Sequence, residues 1–169
     1  MVLNMEDVKL YEPTCYSDER GELWSVWNKS EFIPQLIFNH DKVAKSKKGV
    51  LRGFHGDNKS WKLITCLYGE IFLSVVDYRK NSKTFLETKN FILNDKNKRT
   101  ILVPPNFLNA HQVLSEDAVF FYKWSYDGNY PDVDDQFSIN WNDPKINVDW
   151  PIKTPILSER DKNSKFINL

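Results

Sequence analysis

The chain has 169 residues, enough for one domain with a sizeable core, and its 23 lysines and arginines equal its 23 aspartates and glutamates. This balance excludes the net field of a nucleic-acid or membrane-surface binder, so any attraction for anions has to be local. Two cysteines, Cys15 and Cys66, are too few for a disulfide framework.

The segment from Met1 to Lys9 lacks the apolar stretch of a signal peptide, and no apolar run reaches bilayer-spanning length. The expectation is a cytoplasmic, reducing setting. With no repeat, low-complexity tract or linker, residues 1–169 are expected to form a single domain.

In chain order, Val8 to Tyr11 predicts a short strand, followed by a turn over Tyr16 to Gly21. Extended patterns resume at Leu23 to Trp27 and at Leu36 to His40. Asp41 to Lys48 reads as a polar, lysine-rich loop. Lys62 to Tyr78 predicts a β-hairpin in which Leu63 to Leu67 and Ile71 to Val76 flank the turn Tyr68-Gly69-Glu70. Thr84 to Leu93, Arg99 to Val103 and Val119 to Trp124 add strands, with a corner at Pro104-Pro105-Asn106. Glu159 to Phe166 is the one helical stretch. Six Trp, seven Tyr and eleven Phe suit strands and concave ligand sites alike. Many short strands with turn chemistry between them indicate an all-β sandwich or barrel, and a jelly roll fits the strand count.

Within the apolar pattern Val50-Leu51-Arg52-Gly53-Phe54-His55, an arginine and a histidine interrupt a strand, and Lys62 opens the next apolar run. Brought together, these three would form an anion pocket holding a group that titrates near neutral pH. The ordinary alternative is a sheet whose polar residues face water. His40, His55 and His111 are the only histidines, and no His-x-His pair occurs, so no metal site is expected. No Ser or Cys sits in a nucleophile elbow. His55 needs an orienting acceptor to serve as a base, and Asp161 is a candidate that spacing alone leaves open, because it equally suits a helix start. Strand alternation puts Phe120, Tyr122 and Trp124 on one face and Phe121 and Lys123 on the other. An inward Tyr122 needs a polar partner for its hydroxyl.

In this order the segments Asp18-Glu19-Arg20-Gly21, Lys47 to His55, Lys62-Leu63, Gly69 to Phe72, Val76 to Arg79, Val113 to Lys123, Trp141 to Pro144, Asp149-Trp150-Pro151 and Leu157 to Asp161 resemble the dTDP-4-dehydrorhamnose 3,5-epimerase family. They span nearly the whole chain. The resemblance implies a cupin-type jelly roll with minor helical segments, usually a homodimer. It also implies a nucleoside-diphosphate 4-keto-6-deoxy sugar as substrate, with no metal or cofactor. His55 corresponds to the base that removes the proton at carbon 3, and in some members carbon 5. Asp161 corresponds to the carboxylate that orients it, Lys62 to the residue beside the keto oxygen, and Tyr122 to the acid on the opposite face. Arg20 and Arg52 correspond to diphosphate contacts.

The chain departs from the pattern in several places. Asn109 stands where the family has a histidine, and an amide hydrogen bond to the ligand is expected in its place. His111 either shares the pocket face with Asn109 or sits on the rim. Ser25, His40 and Lys42 replace the Glu, Gln and Asn associated with the thymidine nucleotide. These departures bring GDP-linked 6-deoxy-4-keto heptoses of capsular polysaccharide into view beside dTDP-linked sugars. Three rival readings are a sugar-nucleotide 3,4-ketoisomerase, a non-catalytic sugar-nucleotide-binding cupin and a metal-dependent cupin.

Overall fold

The computed structural model describes residues 5–30 and 35–168. The first strands are β1 (Lys9–Tyr11), β2 (Cys15–Asp18), β3 (Gly21–Trp24), β4 (His40–Lys47), β5 (Leu51–Gly56) and β6 (Trp61–Tyr68). They are followed by β7 (Glu70–Asp77), β8 (Thr88–Asn94), β9 (Thr100–Val103), β10 (Phe107–Val113), β11 (Asp117–Ser125) and β12 (Phe137–Ser138). One short helix, α1 (Glu159–Lys162), lies near the end.

Among the described residues the strands form two five-stranded sheets, ordered β1-β9-β6-β11-β4 and β12-β5-β10-β7-β8, with β2 and β3 as a separate two-stranded ribbon. Every pairing within these sheets is antiparallel. The inner faces supply one core from both sheets, including Ile64, Ile71, Leu73, Val75, Ile101, Val103 and Phe107. A second cluster, built on Leu51, Phe54, Leu108 and Trp150, packs the C-terminal segment against the outside of the second sheet. This is the cupin jelly roll.

Five local expectations are corrected. Lys62 to Tyr78 is no hairpin: β6 lies between β9 and β11 in one sheet, whereas β7 lies between β10 and β8 in the other. The link at Gly69 (φ 74°) crosses between sheets, and a Cβ there would meet the Asp117 carbonyl oxygen at 2.1 Å. A glycine turn looks the same in sequence whether the next strand folds back or changes sheet. The supposed loop at Asp41 to Lys48 is strand β4, whose exposure alternates along its length. It is an edge strand, and its outward Asp41, Lys45 and Lys47 carry the charge by which such edges avoid further pairing. The C-terminal helix covers only Glu159–Lys162, capped by Ser158 and Asn163. Leu36 to His40 enters a strand only at His40, and β3 stops at Trp24.

Candidate active site

Tyr122 sits in the middle of β11 and is the Cα partner of Lys42 on β4 and Ile64 on β6. The same register pairs Trp124 with His40 and Lys62, and Phe120 with Ala44 and Cys66. Phe120, Tyr122 and Trp124 therefore form an inward row, as alternation predicts, with successive ring centroids 4.9 and 5.6 Å apart. Lys123 points away and pairs with Asp41 at 2.7 Å.

On the opposed sheet, His55 is the partner of Asn109, and Arg52 that of His111. Arg52 and His55 stand an odd number of positions apart, so plain alternation would put them on opposite faces. Both line the cavity because the register between β5 and β10 slips by one residue at this point. Gly53 (φ 123°) makes the bulge, and a Cβ on it would lie 2.6 Å from both the Asn109 carbonyl oxygen and the Ala110 Cβ. The peptide between Gly53 and Phe54 is cis.

The two inner faces enclose a cavity of about 350 Å³. Its walls include His55, Asn109 and His111 from one sheet, and Lys42, Lys62 and Tyr122 from the other. His55 Nε2 lies 2.7 Å from Asp161 Oδ1, outside the alignment of a regular hydrogen bond. Asp161 is held in turn by the cap of α1: Ser158 Oγ donates to its Oδ2 at 2.9 Å and accepts from its backbone N–H at 3.1 Å. Burial pushes the Asp161 carboxyl up, but His55, Ser158 and Arg160 outweigh it and hold the group below its usual range. The carboxylate is therefore ready to stabilise a protonated His55.

Lys62 is buried, 3.2 Å from Asp57 Oδ2 and 4.4 Å from the centre of the Trp124 ring. Asp57 is itself fixed by the backbone N–H groups of Lys59 and Ser60, at 3.1 and 2.6 Å. Burial pulls the Lys62 ammonium below its usual value against the opposing pull of Asp57, with Lys42 adding a smaller push downward. Burial likewise pushes the Tyr122 phenol up to about 12. His111 is 3% exposed and lies flat on Phe120, ring centres 4.0 Å apart. It faces the cavity rather than the rim. Burial first, and then Arg52 and His55, hold it neutral with its pKa down to about 3.

The sequence reading left Arg160, Tyr130 and Gln136 unassigned, yet all three line the cavity. Arg160 neighbours the singled-out Asp161, which was the available signal. Its guanidinium donates to Ser138 Oγ and Gln136 Oε1 at 3.2 and 3.3 Å. Arg52 donates to Ser46 Oγ at 3.1 and 3.2 Å. Among the described residues neither arginine is paired with a carboxylate. Arg20 is not brought to this cavity by the fold of the single chain. It stands on the exposed β2–β3 ribbon, its Nε 3.0 and 3.2 Å from the Asp18 oxygens. Ser25 is likewise exposed, just beyond β3. Also among the described residues, no group of three His, Cys, Asp or Glu side chains is arranged to hold a metal ion.

Fold and cavity together define a jelly-roll protein with a cation-lined internal site, in which an imidazole–carboxylate pair faces a phenol across the barrel. A family model for dTDP-4-dehydrorhamnose 3,5-epimerase matches residues 2–168. The epimerase of that name from Salmonella typhimurium is 39% identical over 170 residues, covering 96% of this chain and 91% of the relative. The Shigella flexneri relative is 36% identical, with 96% and 92% covered.

Among solved structures, the Legionella pneumophila 3,5-epimerase in complex with dTDP-4-keto-L-rhamnose superposes with a TM-score of 0.90 at 33% identity, covering 97% of this chain and 89% of the other. The Bacillus anthracis epimerase with TDP and pyrophosphate bound gives 0.91 at 31% identity, with 98% and 97% covered. The chain belongs to the dTDP-4-dehydrorhamnose 3,5-epimerase family and is a sugar-nucleotide epimerase.

Proposed function

We propose that the protein inverts carbon 3, and in the same cavity carbon 5, of a nucleoside-diphosphate 4-keto-6-deoxy sugar for surface-polysaccharide synthesis. The observation that carries this reading is the opposition of His55 and Tyr122 on the inner faces of two sheets, with Lys62 beside them. Inversion requires a base and an acid on opposite faces of one carbon, at separations that rigid strands maintain.

His55 takes the proton α to the ketone, and Asp161 stabilises the imidazolium. The Lys62 ammonium, in a site from which water is largely excluded, stabilises the enolate oxygen. Tyr122 then delivers a proton from the other side. Its high pKa suits a strongly basic carbanion acceptor and keeps the phenol protonated at neutral pH. Arg52 and Arg160, which have no carboxylate partner among the described residues, hold the diphosphate by charge-assisted hydrogen bonds, and Asn109 and His111 contact the sugar.

The working form is a homodimer in which Arg20 reaches the diphosphate in the second copy's cavity. Supporting this is the ribbon that carries it, whose cross-strand pair Tyr16 and Leu23 is 68% and 72% exposed. Both cysteines are free, in keeping with a cytoplasmic setting.

The test incubates the protein in deuterated water with dTDP- and GDP-linked 4-keto-6-deoxy hexoses and heptoses. Mass gain of one unit reports exchange at one carbon and two units at both, and the ketone that incorporates names the nucleotide. His55→Asn is expected to lower exchange by about 10²-fold or more. Tyr122→Phe should slow inversion well beyond its effect on exchange. Binding of these ketones without any incorporation would sink the reading.

A further inference from the structure

On the reaction proposed above, each inversion leaves Tyr122 as an anion. Its O–H bond breaks and the proton goes to the ring carbon. The enolate's electron pair forms the new C–H bond, and the O–H pair stays on the phenolate oxygen. His55, on the other sheet, holds the abstracted proton as imidazolium against Asp161. A phenolate beside Phe120, Trp124 and Ile64 is poorly solvated and needs a cation nearby. Lys62 is matched by Asp57, and Arg160 holds Ser138 and Gln136 beside the opposed sheet. Arg52 reaches across to Ser46 on β4; against the larger effects of burial and Tyr130, which raise the Tyr122 phenol, it lowers it.

Lys42 differs from these cations. It is the direct cross-strand partner of Tyr122, and the alternation of β4 turns it inward between the exposed Asp41 and Val43. Directly opposed side chains in an antiparallel pair have Cβ atoms about 5 Å apart. Its ammonium folds into the cavity instead of reaching for water. The nitrogen stands 3.9 Å from the centre of the Tyr130 ring, donates to the Tyr130 hydroxyl, and lies 5.7 Å from the Trp124 ring. Tyr130 is itself held among rings, 4.8 Å from His40 and 5.3 Å from Trp124. Among the described residues no carboxylate forms an ion pair with Lys42. Two neighbouring aromatic faces and one hydroxyl thus fix a positive charge in the cavity, on the strand position paired with Tyr122.

We propose that Lys42 is a positioning residue for Tyr122: its ammonium, fixed by Tyr130, stabilises the phenolate that Tyr122 becomes on giving up its proton. The inference rests on the epimerase reading for its purpose, but the cross-strand pairing of Lys42 with Tyr122 is present in the ligand-free protein, and its electrostatic effect is tested there. After product leaves, the phenolate takes a proton from water and His55 returns one, which closes the cycle.

The experiment places 3,5-difluorotyrosine, whose phenol ionises near neutral pH, at position 122 and titrates its absorbance without ligand. Lys42→Met is expected to raise the midpoint by about one pH unit, a roughly tenfold loss of phenolate, and Lys42→Arg to restore most of it. A midpoint unmoved by Lys42→Met overturns the proposal, whatever the protein does with sugar nucleotides. With a turned-over substrate, Lys42→Met should slow inversion about tenfold more than it slows His55-driven deuterium exchange. Equal losses in both assays, not rescued by Lys42→Arg, overturn it too. Failure of wild-type protein to exchange any ketone strikes the function reading alone, because the absorbance titration still decides the role of Lys42.

Discussion

Among the described residues, His111 Nε2 is buried without a hydrogen-bond partner, its ring stacked on Phe120 in the cavity that also holds His55, the proposed base. In the unfolded chain His111 protonates as pH falls through 6.5, whereas in the folded protein it stays neutral until about 3. Between those values the unfolded state binds the extra proton, so stability is lost as pH falls, by up to about 1.4 kcal/mol per unit. Asp161 acts in the same direction but lower down, its contribution being lost only below 3.8. His111→Phe, which keeps the stack and removes the titration, is expected to flatten the fall in urea midpoint between about pH 6 and pH 4. An unchanged slope would show that His111 is not the group responsible. The residue type and its two-position spacing from Asn109 were visible in the sequence. Its burial depends on Phe120, which comes from a strand in the other sheet.

The bulge in β5 decides whether Arg52 and His55 share a cavity. A glycine between an arginine and a histidine marks such a place in sequence, but the slip in register exists only against β10. Gly53→Ala would force a Cβ against backbone at 2.6 Å, whereas Gly128 (φ 72°) has open space around its missing Cβ. Gly128→Ala should cost about 1–2 kcal/mol from its backbone conformation alone. Gly53→Ala should exceed that and also lower exchange, because any relief of the clash moves His55. Equal urea-denaturation losses for the two variants would contradict the packing account of the bulge. The element least legible in sequence was β4. Its inward residues are His40, Lys42, Ala44 and Ser46, of which Lys42 and Ala44 line the cavity; only Ala44 is apolar, so no apolar alternation was left to read.

In the whole molecule, the β2–β3 ribbon belongs to neither five-stranded sheet and exposes Tyr16 and Leu23 side by side. On the dimer reading, sedimentation at micromolar concentration gives a dimer. Tyr16→Glu with Leu23→Glu gives a monomer with reduced kcat/KM, since Arg20 no longer reaches its partner's cavity. A fully active monomer would remove Arg20 from the diphosphate site. The sequence by itself determined the all-β class, the shared face of Phe120, Tyr122 and Trp124, and, through a chain-long series of short motifs, the family, whose resemblance offered His55, Lys62 and Asp161 as candidates. Those features are local: alternation is set by the backbone, and each motif is a run of neighbours. Only the tertiary structure decided that β6 and β7 part into different sheets and that β4 is a strand. It likewise brought Arg160 and Lys42 to the cavity and left Arg20 outside it. Each of these is fixed by pairing between distant segments, where a one-residue slip or a change of sheet reverses which way a side chain points. The same holds for Asp161, whose distance from His55 is set by α1 packing against β5 and by no spacing along the chain.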